Sequence, residues 1–235
     1  MRTIAIGDIH GCCQALQGLL HAIAPTSDDL LVFLGDYVDR GPDSKGVIET
    51  LLELQERCQA VFLLGNHEIM LRGALRGLPI EFWLASGGSQ TVTSYGGKLE
   101  NINAKHRAFL DACQPFYETE EHIFVHANYI AELPMHQQPE MSLFWEHLSD
   151  RLPTPHFSGK HVFCGHTPQF NGSIGWYGHF TCLDTGCFAG NWLSAIDVNT
   201  LETWQVSKHG HVRENWREIK RIARKLRDIW GQFRS

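Results

Sequence analysis

Five short apolar segments of this sequence are each followed directly by polar residues that can bind a metal ion. The residues at these segment ends are Asp8, His10, Asp36, Asn66, His126 and His166. A single aspartate after a strand is usually a turn former or a helix cap, so none of them is informative alone. Five such ends in one chain favour one shared site. Aspartate, asparagine and histidine without cysteine form a donor set that suits Mn, Fe or Zn at a hydrolytic centre.

Apolar runs and helical periodicity predict the elements that carry these residues. Strands are predicted at 3–6, 30–34 and 60–64, and helices at 12–24, at 43–57 and after Asn66. This alternation predicts βαβ units and a mainly parallel sheet, whose carboxyl edge is a usual ligand site. Residues 68–120 are predicted to be mostly helical. Strand signals at 122–125, 161–164, 180–183 and 192–196 predict a second, more antiparallel sheet.

Three motifs in the first third of the chain resemble the signature of the PPP metallophosphatases. They are Gly-Asp-Ile-His-Gly at 7–11, Gly-Asp-Tyr-Val-Asp-Arg-Gly at 35–41 and Gly-Asn-His-Glu at 65–68. The resemblance extends through 165–167 to Leu-Asp-Thr-Gly-Cys at 183–187, and Trp83 with Gly87-Gly88 is most similar to the bacterial and phage serine/threonine phosphatase branch. It implies an α/β, calcineurin-like metallophosphoesterase fold with two facing mixed β-sheets flanked by helices.

The resemblance also implies a centre of two divalent metal ions, with manganese expected in vitro and iron or zinc as alternatives. Asp8 and His10 would hold one ion and Asp36 would bridge both. The second ion would be held by Asn66, His126 and His166. Two ions about 3.5–4 Å apart can activate a bridging water, and the resulting hydroxide would attack phosphorus directly.

Five residues have expected roles beyond metal binding. The resemblance makes His67 the general acid for the leaving oxygen, oriented by Asp39. Arg40 would bind the phosphoryl oxygens through its planar fork, with Asn66 also facing the substrate. Glu68 would either support the site or favour the first turn of its helix.

One segment departs from the family pattern. Relatives usually supply another phosphate-binding arginine near a tryptophan, but the matching stretch here is Phe-Trp-Glu-His at 144–147. Either His147 or Arg151, one turn later, is expected to bind substrate in its place.

The leading prediction is a metal-dependent serine/threonine phosphoprotein phosphatase that also accepts small aryl phosphates. The alternative within enzymes is symmetrical cleavage of a dinucleoside tetraphosphate. Asp39 favours the phosphatase, whereas the run at 183–187 favours the alternative. A non-catalytic phosphate-binding scaffold is the competitor from another class, disfavoured because all the expected ligands and His67 are present.

Composition places few further limits on function. The formal charge is −6, and an acidic body makes nucleic acid an unexpected partner. Seven irregularly spaced cysteines, no transmembrane-length apolar run and an early acid at Asp8 predict a cytoplasmic protein.

The end of the sequence differs from the rest in charge. Residues 212–235 are basic and have apolar residues at helical spacing, which predicts an amphipathic helix. We expect it to pack on a metallophosphoesterase domain formed by 1–211, with a second subunit, anionic lipid or another acidic partner as alternatives.

Overall fold

A computed structural model describes residues 1–213 of the chain. The strands are β1 Thr3–Ile6, β2 Leu30–Phe33, β3 Gln59–Phe62, β4 Phe116–Glu118, β5 His122–Val125, β6 His161–Cys164, β7 Gly175–Trp176, β8 Phe180–Cys182, β9 Trp192–Asp197 and β10 Thr203–Ser207. The helices are α1 Cys13–Ile23, α2 Ser44–Leu54, α3 Asn66–Leu75, α4 Glu81–Trp83, α5 Ser89–Ser94, α6 Ala104–Ala112 and α7 Glu140–Phe144. A π turn, Leu84–Gly88, joins α4 to α5.

The first sheet has the strand order β10-β9-β1-β2-β3. Its β1, β2 and β3 are parallel, as the βαβ pattern predicts, and α1 and α2 form the crossovers. β9 lies antiparallel to β1, with Ala5 opposite Ile196, and β10 extends that edge. The prediction that residues 192–196 belong to the second sheet is therefore wrong. An apolar run reveals that a strand is buried, but not which sheet it joins.

The second sheet has the order β4-β5-β6-β8-β7. It is mixed rather than mostly antiparallel, because β5, β6 and β8 run parallel while only β4 and β7 pair antiparallel. Parallel pairing brings the carboxyl ends of β5, β6 and β8 to one edge. β4 was not predicted, since it lies within the stretch that the sequence indicated to be helical.

The two sheets face each other across a shared apolar layer. Alternation along β1 sends Ala5 towards the second sheet and Ile4 and Ile6 towards the helices. From the opposite sheet, Phe124 and Phe163 stack with ring centroids 5.5 Å apart in the same layer. The helices α1, α2 and α6 cover the outer face of the first sheet. The predicted architecture of two mixed sheets flanked by helices is confirmed.

The predicted C-terminal helix lies almost wholly outside the described residues. Its first two positions are not helical: Val212 pairs with Val206, and the Arg213 guanidinium donates to the carbonyl oxygen of Gly172 and to Gln205. The division of the chain at residue 211 stays a prediction. Within residues 1–213, no helix is both long and apolar enough to cross a membrane.

Candidate metal centre

The six predicted metal ligands converge where the two sheets meet. Asp8 follows β1, Asp36 follows β2, and Asn66 is the first residue of α3 after β3. His126 follows β5 and His166 follows β6. All of these side chains are buried, as is that of His10. The site therefore forms at the carboxyl ends of parallel strands from both sheets, the edge expected for a ligand.

Asp36 lies at the junction of two groups of potential ligands. One group is Asp36 with His10 and His67, and the other is Asp36 with His126 and His166; within each, the ligand atoms lie within 4.8 Å of one another. The two carboxylate oxygens of Asp36 face different groups. Oδ2 is 3.4 Å from Nε2 of His10, and Oδ1 is 3.5 Å from Nε2 of His126. This geometry suits a carboxylate that bridges two cations.

Backbone carbonyl groups orient the histidines. Nδ1 of His10 lies 3.0 Å from the Val38 oxygen, and Nδ1 of His126 lies 2.7 Å from the Leu34 oxygen. Because a carbonyl only accepts, each Nδ1 must carry the proton, which leaves the Nε2 lone pair towards Asp36. His166 is reversed: its Nε2 donates to the Trp145 oxygen, so Nδ1 is the free ligand atom.

Burial keeps these imidazoles in the form that binds metal. It lowers the pKa of His10 and of His126, and it lowers the pKa of His166 to about 3. They are therefore neutral at neutral pH. Nδ1 of His166 and Nε2 of His126 converge on Oδ1 of Asn66, at 3.1 and 3.0 Å. Neutral imidazoles, an amide oxygen and a carboxylate fit a divalent cation.

Asp8 lies beside these groups but belongs to neither of them. Its carboxylate accepts from the backbone N–H of His166, with the shorter of two contacts at 3.0 Å. Burial and repulsion from Asp184 and Asp36 raise its pKa well above the ordinary value. A cation at this position would offset that repulsion, so the predicted ligand role of Asp8 remains compatible with its surroundings.

The predicted acid, His67, is held by Asp39. Nδ1 of His67 is 2.7 Å from Oδ2 of Asp39, which also accepts from Nε1 of Trp83 at 2.8 Å, while Oδ1 accepts from the Thr91 hydroxyl at 2.6 Å. Burial opposes protonation of His67, but Asp36 and Asp39 raise its pKa overall. The contacts of Trp83 and Thr91 were not foreseen, because they lie more than 40 residues from Asp39 in sequence.

Arg40 reaches the first group of ligands from the side. Its backbone N–H donates to the Gly87 oxygen of the π turn, and its guanidinium lies over the ring of Phe188 at 4.5 Å. Nη1 is 3.1 Å from Nε2 of His10. The predicted phosphate ligand thus lies next to the predicted metal ligands, and the Gly-rich interruption of the helical stretch positions it.

Glu68 supports the loop that carries Asp36. Its Oε1 accepts from the backbone N–H of Tyr37 and Val38, and its Oε2 accepts from those of Asp36 and Gly65. The contact with Gly65 caps α3, so both roles considered from the sequence apply. Burial and repulsion from Asp36 raise the pKa of Glu68 to about 8, although the donors at Tyr37 and Val38 oppose that rise.

Several site residues have a left-handed backbone, which costs a non-glycine residue about 1–2 kcal/mol. These residues are His10 (φ 46°), Asp36 (φ 53°), Asp39 (φ 71°), Arg40 (φ 65°) and His166 (φ 64°). Such strain persists only where the surroundings enforce it, and it clusters at functional sites.

His147 and Arg151, the two candidates to replace the phosphate-binding arginine of the family, have different surroundings. The ring of His147 stacks on His166, with centroids 4.3 Å apart, which places it beside the second group of ligands. The Arg151 guanidinium instead donates to both oxygens of Glu146 and to the Tyr129 carbonyl. Of the two, His147 is better placed to meet a substrate.

One further acid at the site was not predicted to be functional. Asp184 follows β8, is 1% exposed, and has a pKa that burial raises to about 7. The sequence signal was its position after an apolar run, the same signal that identified Asp8 and Asp36. The family resemblance includes its motif at 183–187 but implies no role for the acid.

Comparisons with known proteins identify the family of this chain. Residues 1–192 match the model of a family described as calcineurin-like phosphoesterase. A symmetrical bis(5'-nucleosyl)-tetraphosphatase of Ralstonia nicotianae is 45% identical over 74 residues, 32% of this chain and 25% of that protein. This chain therefore spans about a quarter of the length of such relatives. The asymmetrical bis(5'-nucleosyl)-tetraphosphatase PrpE of Oceanobacillus iheyensis is 26% identical over 226 residues, 83% of this chain and 88% of that protein.

Solved structures share the fold at lower sequence identity. A crystal structure provisionally described as a diadenosine tetraphosphatase has a TM-score of 0.67 and 24% identity, and covers 87% of this chain and 92% of its own. A cold-active protein-tyrosine phosphatase of a Shewanella species has a TM-score of 0.65 and 15% identity, with 90% and 79% covered. With four fifths of its length matched by the family model, the chain belongs to the calcineurin-like phosphoesterases.

Proposed function

We propose that this phosphoesterase hydrolyses dinucleoside tetraphosphates with two divalent cations held around Asp36. The carrying observation is that two groups of potential metal-binding side chains share this one carboxylate, with His10 in one group and His126 in the other oriented to bind metal. The cations would supply Lewis acidity and an activated water at neutral pH. The donor set does not select one metal, and manganese remains the ion with which to start.

The chain's own residues would bind the phosphate and protonate the leaving oxygen. Arg40 would leave its contact with His10 and place its fork on the phosphoryl oxygens. His67 would donate from Nε2, because Nδ1 is engaged by Asp39. The hydrogen bond to Asp39 favours the protonated imidazole that an acid requires.

The choice of substrate rests on the relatives and on His147. The Ralstonia protein is similar over a quarter of its length, and the Oceanobacillus protein is similar over most of its length. Both are named as bis(5'-nucleosyl)-tetraphosphatases. His147, where an arginine is usual, would hold a phosphate monoester dianion less firmly than a guanidinium does. These two features favour the alternative considered from the sequence over the leading prediction, a protein phosphatase.

A phosphoserine or phosphothreonine phosphatase is the second candidate, and the pairing of Asp39 with His67 favours it. A serine alkoxide is a poor leaving group and needs protonation in the transition state more than a nucleotide phosphate does. A buried carboxylate 2.7 Å from the imidazole suits that task.

The test compares diadenosine tetraphosphate with a phosphoserine peptide, on metal-free and manganese-loaded protein. We expect faster metal-dependent cleavage of the dinucleotide, and chromatography of the products gives the position of the cut. Two ADP molecules mean symmetrical cleavage, whereas ATP with AMP means asymmetrical cleavage. Faster turnover of the peptide would replace the proposal with the second candidate. Bound metal without turnover of either would favour the scaffold.

A further inference from the structure

The side chain of Asp184 is buried at the site with one carboxylate oxygen unused. Oδ1 accepts from the Gly186 backbone N–H at 3.0 Å, which fixes the orientation of the group. Oδ2 is buried and has no hydrogen-bond partner within residues 1–213. Leaving a carboxylate oxygen unsatisfied in a protein interior is costly, so this atom needs an explanation.

A close backbone contact places Asp184 next to Asp8. Gly7 ends β1 and packs directly on Leu183, where a Cβ on the glycine would overlap the leucine carbonyl oxygen. Asp8 follows Gly7 and Asp184 follows Leu183, so the contact brings two carboxylate-bearing residues close together. Asp184 is among the charges that repel Asp8, and Arg40 and Asp36 both act on Asp184. Asp184 therefore lies close enough to the site for its charge to interact with those of Asp8, Asp36 and Arg40.

Asp197 shows what a structural buried aspartate looks like in this chain. It is 2% exposed, and its Oδ1 accepts from the backbone N–H of Asn199 and Thr200, while its Oδ2 accepts from the Thr200 hydroxyl. Both oxygens are used, as expected for an acid that holds a turn. Asp184 is equally buried but uses only one oxygen, so holding a turn does not account for it.

We propose that Asp184 is a further carboxylate of the metal centre, whose Oδ2 serves the cation beside Asp8 or a water of its coordination shell. The inference rests on the metal centre of the proposed function, but not on its substrate. A cation there would satisfy the unused oxygen and offset the charge of two adjacent acids. Residues around a metal's ligands typically change its affinity 10–100-fold when replaced.

The test is Asp184→Asn, with Asp197→Asn as the matched control. Manganese binding is measured by calorimetry, and thermal unfolding is measured with and without the metal. We expect wild-type protein to bind two ions and Asp184→Asn to bind one of them at least about tenfold more weakly. Without metal, the unfolding temperature of Asp184→Asn should be unchanged or higher, because a charge that repels Asp8 is removed. The increase in unfolding temperature on adding manganese should be smaller than in the wild type.

Asp197→Asn should lower the unfolding temperature with and without metal and leave manganese affinity unchanged. Two ions bound by Asp184→Asn with wild-type affinities would overturn the inference and leave the proposed function intact. The inference would also be overturned if Asp184→Asn lowered the unfolding temperature of the metal-free protein while the increase on adding manganese stayed as large as in the wild type. Wild-type protein that binds no divalent cation would overturn both proposals together.

Discussion

The two sheets contribute to the site in different ways. The first-sheet loops, residues 7–12, 35–41 and 65–68, are bound tightly to one another. The Asp36 oxygen accepts from the backbone N–H of Ile9 and His10, and Glu68 binds four N–H groups. The second-sheet loops, residues 126–128, 145–151, 165–172 and 184–190, meet through fewer contacts, such as Gly165 N–H to the His126 oxygen at 2.7 Å.

We expect this difference to separate the chemistry from the choice of substrate. The first-sheet loops hold the proposed bridging acid, general acid and phosphate ligand, and several of their residues have a strained backbone, so we expect most changes there to disturb the reaction. The second-sheet loops hold His147, which stands where the family pattern has an arginine. A loop with fewer mutual constraints can exchange side chains at lower cost, so we expect substrate preference to be determined there.

The largest expected effect comes from the bridging acid. Asp36→Asn should lower kcat/KM by about 10³-fold or more, which is about 4 kcal/mol, because both cations lose a charged ligand. Manganese binding by calorimetry should fall in parallel. Asp28→Asn, at an exposed position, is the control and should change neither quantity. Unchanged manganese stoichiometry in Asp36→Asn would count against a bridging role.

His67→Asn should separate acid catalysis from metal binding. We expect a loss of about 10²–10³-fold on an alkyl phosphate and a much smaller loss on an aryl phosphate with a good leaving group. Both cations should remain bound, as measured by calorimetry. His136→Asn is the exposed control. Equal losses on the two esters would remove His67 from the role of acid.

Glu68→Gln tests whether the first-sheet loops act as a frame. An amide cannot accept at all four contacts, so the variant should be destabilised by about 2–3 kcal/mol. Chemical denaturation measures this, and Glu49→Gln on the exposed face of α2 is the control. A fully stable variant would mean that the loops hold their shape without this carboxylate.

His147→Arg tests the second-sheet loops. A guanidinium next to His166 should lower KM for a phosphate monoester by about tenfold, or about 1.5 kcal/mol, and shift preference away from the dinucleotide. The measurement is steady-state kinetics on both substrates. Unchanged KM for both would show that this position does not contact phosphate.

Arg151→Met should have the smallest effect. The ion pair between Arg151 and Glu146 is partly exposed and screened by solvent. Removing this ion pair should cost about 1 kcal/mol of stability or less. KM should stay at the wild-type value because the guanidinium is already engaged. A clear rise in KM would instead make Arg151 the replacement for the missing arginine.

Much of the fold and the positions of the site residues could be predicted because the informative signals are local. A strand and its following Asp, Asn or His are adjacent in sequence, so Asp8, Asp36 and His166 could be identified directly. Contacts between distant segments could not be read in this way. The contacts of Trp83 and Thr91 with Asp39, and the unpartnered oxygen of Asp184, can be recognised only in the folded structure.

The pairing of β9 with β1 has a consequence for the order in which this protein folds. Ile4 lies opposite Asp197, so β1, the strand that precedes Asp8, gains its second neighbour only from a segment about 190 residues later. Contacts of such long sequence separation form slowly, since a large loop must close first. During synthesis on the ribosome, β1, β2 and β3 can assemble early, but β1 gains its second neighbour only after β9 has emerged, so we expect the proposed metal centre to be completed late.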